Sequence, residues 1–130
     1  MFHVFKNQND RKNIGGSEFL ELQHCKMKLE SKIEELVSVD NVEFWKDNSL
    51  YVHIDDIELF LEQYAKVFDG GTYNNLETGM VDMYGINYYF PNQVEEIIRG
   101  IEMEKPKEYS VILEWLNRAK DYNGIYILGI

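Results

Sequence analysis

"IYILGI", residues 125–130, governs how the rest of the chain is read. It is apolar at odd and even positions alike. A strand of that kind needs cover on both faces, so it belongs in the middle of a sheet. "YNG" (Tyr122 to Gly124) stops a helix just before it. Ile112, Trp115, Leu116 and Ala119 give that helix its core stripe, and Pro106 suits its first turn. The same "EKP" (Glu104 to Pro106) ends an earlier helix. Pro91 and Asn92 open that one, Glu95 stands three residues after the capping asparagine, and Val94, Ile97, Ile98 and Ile101 form its stripe.

Upstream lies "DMYGINYYF", residues 82–90, with four aromatic rings around Gly85. As a strand it turns Ile86, Tyr88 and Phe90 to one side and Asn87 and Tyr89 to the other. Gly85 marks a bend, which leaves the orientation of Tyr84 open. "TYNNLETG" before it reads as a loop. Ile57, Phe60, Leu61, Tyr64 and Phe68 form the stripe of a further helix. Asp55 and Glu58 make a capping-box arrangement at its start, Ile54 and Leu59 stand at staple positions, and "DGG" (Asp69 to Gly71) ends it. "NVEFWKDNSLYVHI" reads as a β-hairpin with "KDNS" as its turn. Leu22, Cys25, Leu29, Ile33 and Leu36 fall at helical spacing after a capping Ser17, which predicts a helix reaching Val37. "HVF" near the start is a short strand, and "NQNDRKNIGGS" is a polar loop. The expected architecture is one α+β domain over residues 1–130. A small mixed sheet of about five strands packs with about four helices.

At 130 residues, with 45% apolar and 28% charged residues, the chain has enough material for a single core. No apolar run approaches the roughly 20 residues a membrane helix needs. The opening "MFHVFKNQND" does not read as a signal peptide, and Cys25 is the single cysteine. Together these predict a reducing cytoplasm and no membrane. The net charge of −10 is unevenly spread. Eleven acids and two bases between Asp55 and Glu104 give −9, and the rest of the chain carries −1. Such a field repels nucleic acid and steers a basic partner inward.

Motifs for chemistry are missing. His3, His24 and His53 lack metal-ligand spacing, so no metal site and no cofactor are expected. Cys25 fits a buried small hydrophobe better than a nucleophile. Asp55, Asp56 and Glu58, like Glu95 and Glu96, are explained as helix-start acids that complement the dipole. Glu102 and Glu104 sit near a helix end, where the dipole disfavours them, and need solvent or a positive group. "IGGS" and "DGGT" lack the lysine and glycine spacing of phosphate-binding loops. No catalytic residue is nominated.

The stretch "YGINYYFPNQVEEIIRGIEMEKPKEYSVILEWLNRAKDYNGIYILGI" in a small, acidic α+β chain resembles the C-terminal half of bacterial immunity proteins of contact-dependent inhibition and other polymorphic toxin systems. Gly70, Gly71, Tyr84, Gly85, Pro91 and "VEEI" (Val94 to Ile97) also resemble the YfbM-like family of bacterial proteins. The first resemblance implies a protein, not an enzyme, that binds a cognate toxin domain, a basic nuclease above all. The expected contact residues are Asp69, Glu77, Asp82, Tyr84, Tyr89 and Glu96: acids steer, and desolvated tyrosines hold. The alternative, of the YfbM-like type, is a small-molecule-binding or hydrolytic domain with a cleft near residues 82–90.

Overall fold

The computed structural model describes residues 1–14 and 18–130. Strand β7 (Ile125–Leu128) lies at its centre, buried at all four positions. It pairs antiparallel with β2 (Phe19–His24) on one side and β6 (Ile86–Tyr89) on the other. Strands β1 (Phe2–His3), β3 (Leu50–His53), β4 (Gly71–Tyr73) and β5 (Thr78–Gly79) complete a sheet in the order β1-β3-β2-β7-β6-β4-β5. Every neighbouring pair is antiparallel, and the described residues form seven strands where about five in a mixed sheet were expected. The helices are α1 (Gln8–Ile14), α2 (Ile33–Leu36), α3 (Ile57–Tyr64), α4 (Pro91–Glu104) and α5 (Tyr109–Arg118). The chain is thus a single α+β domain, as its sequence predicts.

Three helices cover one face of the sheet. Phe60 and Tyr64 of α3, Ile97 and Ile101 of α4, and Trp115 and Leu116 of α5 pack on Leu20, Leu22, Val52, Ile125 and Ile127. These amphipathic stripes match the sequence reading. Phe90 caps α4 in place of Asn92, because Gln93 Oε1 turns back to accept its backbone N–H at 2.8 Å. The Asp55 capping box does not form. His53 Nδ1 accepts from Asp55 N at 3.2 Å, a tight 3-10 turn occupies Ile54–Asp56, and α3 begins only at Ile57. After α5, Gly124 adopts φ +82°, where a Cβ would sit 2.1 Å from Tyr89 O, so only glycine lets β7 start beside β6.

The second face departs from the sequence reading. The helix expected to reach Val37 is instead β2, a loop and the short α2; the capping role of Ser17 lies outside the described residues. Leu22 and Leu36 match a helical period by coincidence, and Leu29, on the same stripe, is 74% exposed. The polar stretch from residue 8 is α1, not a loop. The expected hairpin keeps only its second strand, β3, which pairs with β2 and β1. The expected loop at 72–79 holds the small β4–β5 hairpin.

One carboxylate explains this second face. Glu21 lies on β2, 1% exposed. Burying such a group costs several kcal/mol unless donors surround it. Trp45 N (2.6 Å), Lys46 N (2.9 Å), Ser49 Oγ (2.7 Å) and Gln23 Nε2 (3.1 Å) all donate to it. The chain from 42 to 49 therefore bends around Glu21 and cannot run as a strand beside β3. Trp45 and Asn48 take φ +63° and +66° to do so. Gln8 Nε2 and Trp115 Nε1 hold Trp45 O and Asn48 O at 2.7 and 2.8 Å.

Glu21→Ala should lower stability by about 3 kcal/mol, since it strands four buried or half-buried donors. Glu18→Ala, exposed and three residues away on the chain, should shift it by less than about 0.5 kcal/mol. Urea unfolding of both variants checks the difference.

Candidate functional site

The turn before β6 is built by local hydrogen bonds. Asp82 Oδ1 accepts from Tyr84 N at 2.9 Å. Asn87, buried in β6, accepts from Asp82 N at 2.8 Å and donates to Asp82 O and Ile127 O. Gly129 N donates to Gly85 O at 2.8 Å and Ile130 N to Met83 O at 2.9 Å, so the end of the central strand closes on the turn. A Cβ on Gly129 would stand 2.5 Å from Met83 O, so the approach requires glycine. The outcome is a Tyr84 side chain pushed outward, 77% exposed.

The six sequence-nominated residues fall into separate places. Tyr84 and Asp82 belong to this turn. Glu77 sits in the β4–β5 turn, its backbone N–H given to Asn75 Oδ1 at 3.0 Å. Asp69 and Glu96 share a depression of about 390 Å³ with Lys66, Gln93, Gly100 and Glu104. Tyr89 is a correction. It lies behind the depression that Asp69 and Glu96 line, but its side chain is fully buried with its hydroxyl donating to Phe68 O at 2.7 Å, so it packs as core and presents no exposed contact area. Both faces of β6 are covered by clusters of core residues, which a period-two alternation with polar Asn87 does not reveal.

Three residues that the sequence reading did not nominate join Tyr84. Val39, Phe44 and Ile130 line with it a surface groove of about 340 Å³ floored by Ile86, Gly85 and Gly129. A second groove of about 260 Å³, lined by Tyr73, Asn74, Asn75 and Asp82, shares Asn74, Gly85 and Ile86 with it. Both grooves adjoin residues 82–86, and the depression of Asp69 and Glu96 reaches Tyr89, in the region where the alternative reading expects a cleft. Phe44 comes from the loop bent around Glu21 and Val39 from the segment just before it, 40 and 45 positions from Tyr84, and no spacing rule could have paired them.

Elsewhere His24 and Cys25 are enclosed. His24 stacks between Trp115 and Tyr122, with ring centroids at 4.2 and 5.0 Å, and burial pushes its pKa down. Cys25 is buried beside the Tyr126 hydroxyl at 3.5 Å, and burial pushes its thiol pKa up. It directly follows β2 instead of sitting on a helix, yet it is the small buried hydrophobe expected. Among the described residues no group of three or more His, Cys, Asp and Glu side chains is placed to hold a metal ion. No helix of the described residues is long and apolar enough to cross a membrane. What the exposed arrangement offers chemically is apolar contact area next to negative charge.

No family model, no curated protein and no solved structure matches this chain.

Burial raises the phenol pKa of Tyr51 from 10.0 to about 12, and pushes Tyr64, Tyr88, Tyr89 and Tyr126 up further. The unfolded chain releases these protons near pH 10 while the folded one keeps them. Their contribution is therefore intact below pH 10 and is lost as pH climbs through 10 to 12 and beyond. Alkaline titration at 295 nm, followed together with circular dichroism, should show these phenols ionising only as the fold is lost.

Proposed function

We propose that this chain is an immunity-type binding protein: it works in the cytoplasm by holding a basic toxin domain, a nuclease in the best-supported case, and blocking its active site. One observation carries the reading. The acids that make the Asp55–Glu104 segment strongly negative are all exposed except half-buried Asp56, so the excess charge faces solvent. Few of them meet a lysine or arginine within the described fold: Lys66 pairs with Glu104 at 3.5 Å, while His53 stands 3.4 Å from Asp55, Asn75 donates to Glu77 at 3.3 Å, and Asp82 holds its own turn. A nuclease active site is basic because it holds phosphate, and a surface of carboxylates complements it. Asp69 and Glu96 on one depression, and Glu77 and Asp82 near Tyr84, are the acids proposed to meet it. The resemblance to toxin-system immunity proteins agrees with this chemistry.

The test is co-expression with the product of the gene immediately upstream, where a secreted protein with a variable C-terminal domain is expected. Growth should be restored and a stable complex isolated. Its association rate should fall at least about tenfold from low to physiological salt, as steered encounters do. Asp69→Lys with Glu96→Lys should slow association with little effect on folding, because both side chains are exposed. Neither rescue nor complex would end the proposal.

A further inference from the structure

The groove under Tyr84 has features that isolated surface hydrophobes lack. Val39 (65% exposed), Phe44 (47%), Tyr84 (77%) and Ile130 (42%) all line it. Single exposed apolar residues are ordinary, but several lining one concavity mark a contact surface. The backbone of its walls is fixed before any partner arrives. The Phe44 wall is held because the next two N–H groups, Trp45 and Lys46, are bound to Glu21. The Tyr84 wall is held by Asp82 and by the Gly129–Gly85 and Ile130–Met83 hydrogen bonds. A rigid concavity loses little conformational freedom on binding.

The rim is charged in one sense. Exposed acids adjoin its lining: Asp40 follows Val39, Glu43 precedes Phe44, and Asp82 lines the neighbouring groove that shares Asn74, Gly85 and Ile86 with this one. Against them stands one base, Lys46, already paired with Glu43. We infer that this groove seats one large apolar side chain from a basic segment of the partner, with lysines or arginines on either side meeting the acidic rim. A second copy of the chain is a poor occupant, since it would bring the same carboxylates against their equivalents. The inference rests on the binding reading above and adds where the partner is held and what chemistry it presents.

The test uses synthetic peptides and amide NMR spectra of the whole chain. The probe is Lys-Arg-Trp-Arg-Lys. Saturable shifts should centre on residues 39–44, 84–86 and 129–130. Replacing the probe's tryptophan by alanine, or its basic residues by glutamine, should each weaken binding by about tenfold, as should Tyr84→Ala in the protein. Val39→Ser, which removes apolar contact area without changing the charge, is a second exposed variant with the same expectation, and the spectra themselves report that both variants fold. No saturable binding, shifts centred on Lys66 and Glu96, or equal affinity for the glutamine peptide would overturn the inference. So would shifts of the same amides with protein concentration alone, which would make the occupant a second copy. The two proposals fail separately. Rescue that survives Tyr84→Ala undiminished removes the groove and leaves the immunity reading. Peptide binding at the groove without any rescue removes the immunity reading and leaves the groove.

Discussion

A carboxylate in the interior of a sheet is tolerated only where the chain brings donors to it, and Glu21 imposes that condition on a long stretch of this protein. Two backbone N–H groups, the Ser49 and Tyr51 hydroxyls and an amide converge on it, and four of the five come from outside its own strand. Supplying them forces residues 42–49 out of extended geometry and over the sheet. That loop then packs Trp45 on Tyr51, at 6.0 Å between ring centroids, and Arg11 over Trp45 at 3.8 Å. It also sends Phe44 outward. The cover of the second face and the Phe44 wall of the surface groove thus have a common origin.

The helix-covered face was legible because its helices obey a single rule. Each of α3, α4 and α5 presents apolar residues at three- and four-residue spacing to one core, so pattern and packing agree. The second face was not legible, because there the pattern and the packing disagree. Glu21, Gln23 and His24 look like solvent residues in sequence yet are buried. With them discounted, "FLELQH" stops reading as a strand, and Leu22 and Cys25 join a helical period that the chain never adopts. Helix α1 was missed for the converse reason: its one buried residue is Arg11, which gives no apolar stripe.

The nominated contact residues divide along the same line. Tyr84 and Asp82 were found because a glycine-flanked turn with an acid at its start is a local feature. Tyr89 was misplaced because alternation says which residues share a face but not whether that face is covered. Val39, Phe44 and Ile130 depend on a fold that brings three distant segments together. The acids near the end of α4 follow local electrostatics closely: Glu102 stays in solvent, and Glu104 finds Lys66 beyond the end of α3.

The place of β7 has a consequence for how the chain is made. It follows the other six strands of the sheet along the chain yet lies between them in space, so β1-β3-β2 and β6-β4-β5 share no ladder until it arrives. On the ribosome each half would present an open edge, β2 and β6, to whatever strand is near. Completion of the sheet therefore waits for residues 125–128 to emerge. The interval between the translation of β2 and the insertion of β7 is the period in which this protein is most exposed to mispairing with other nascent chains.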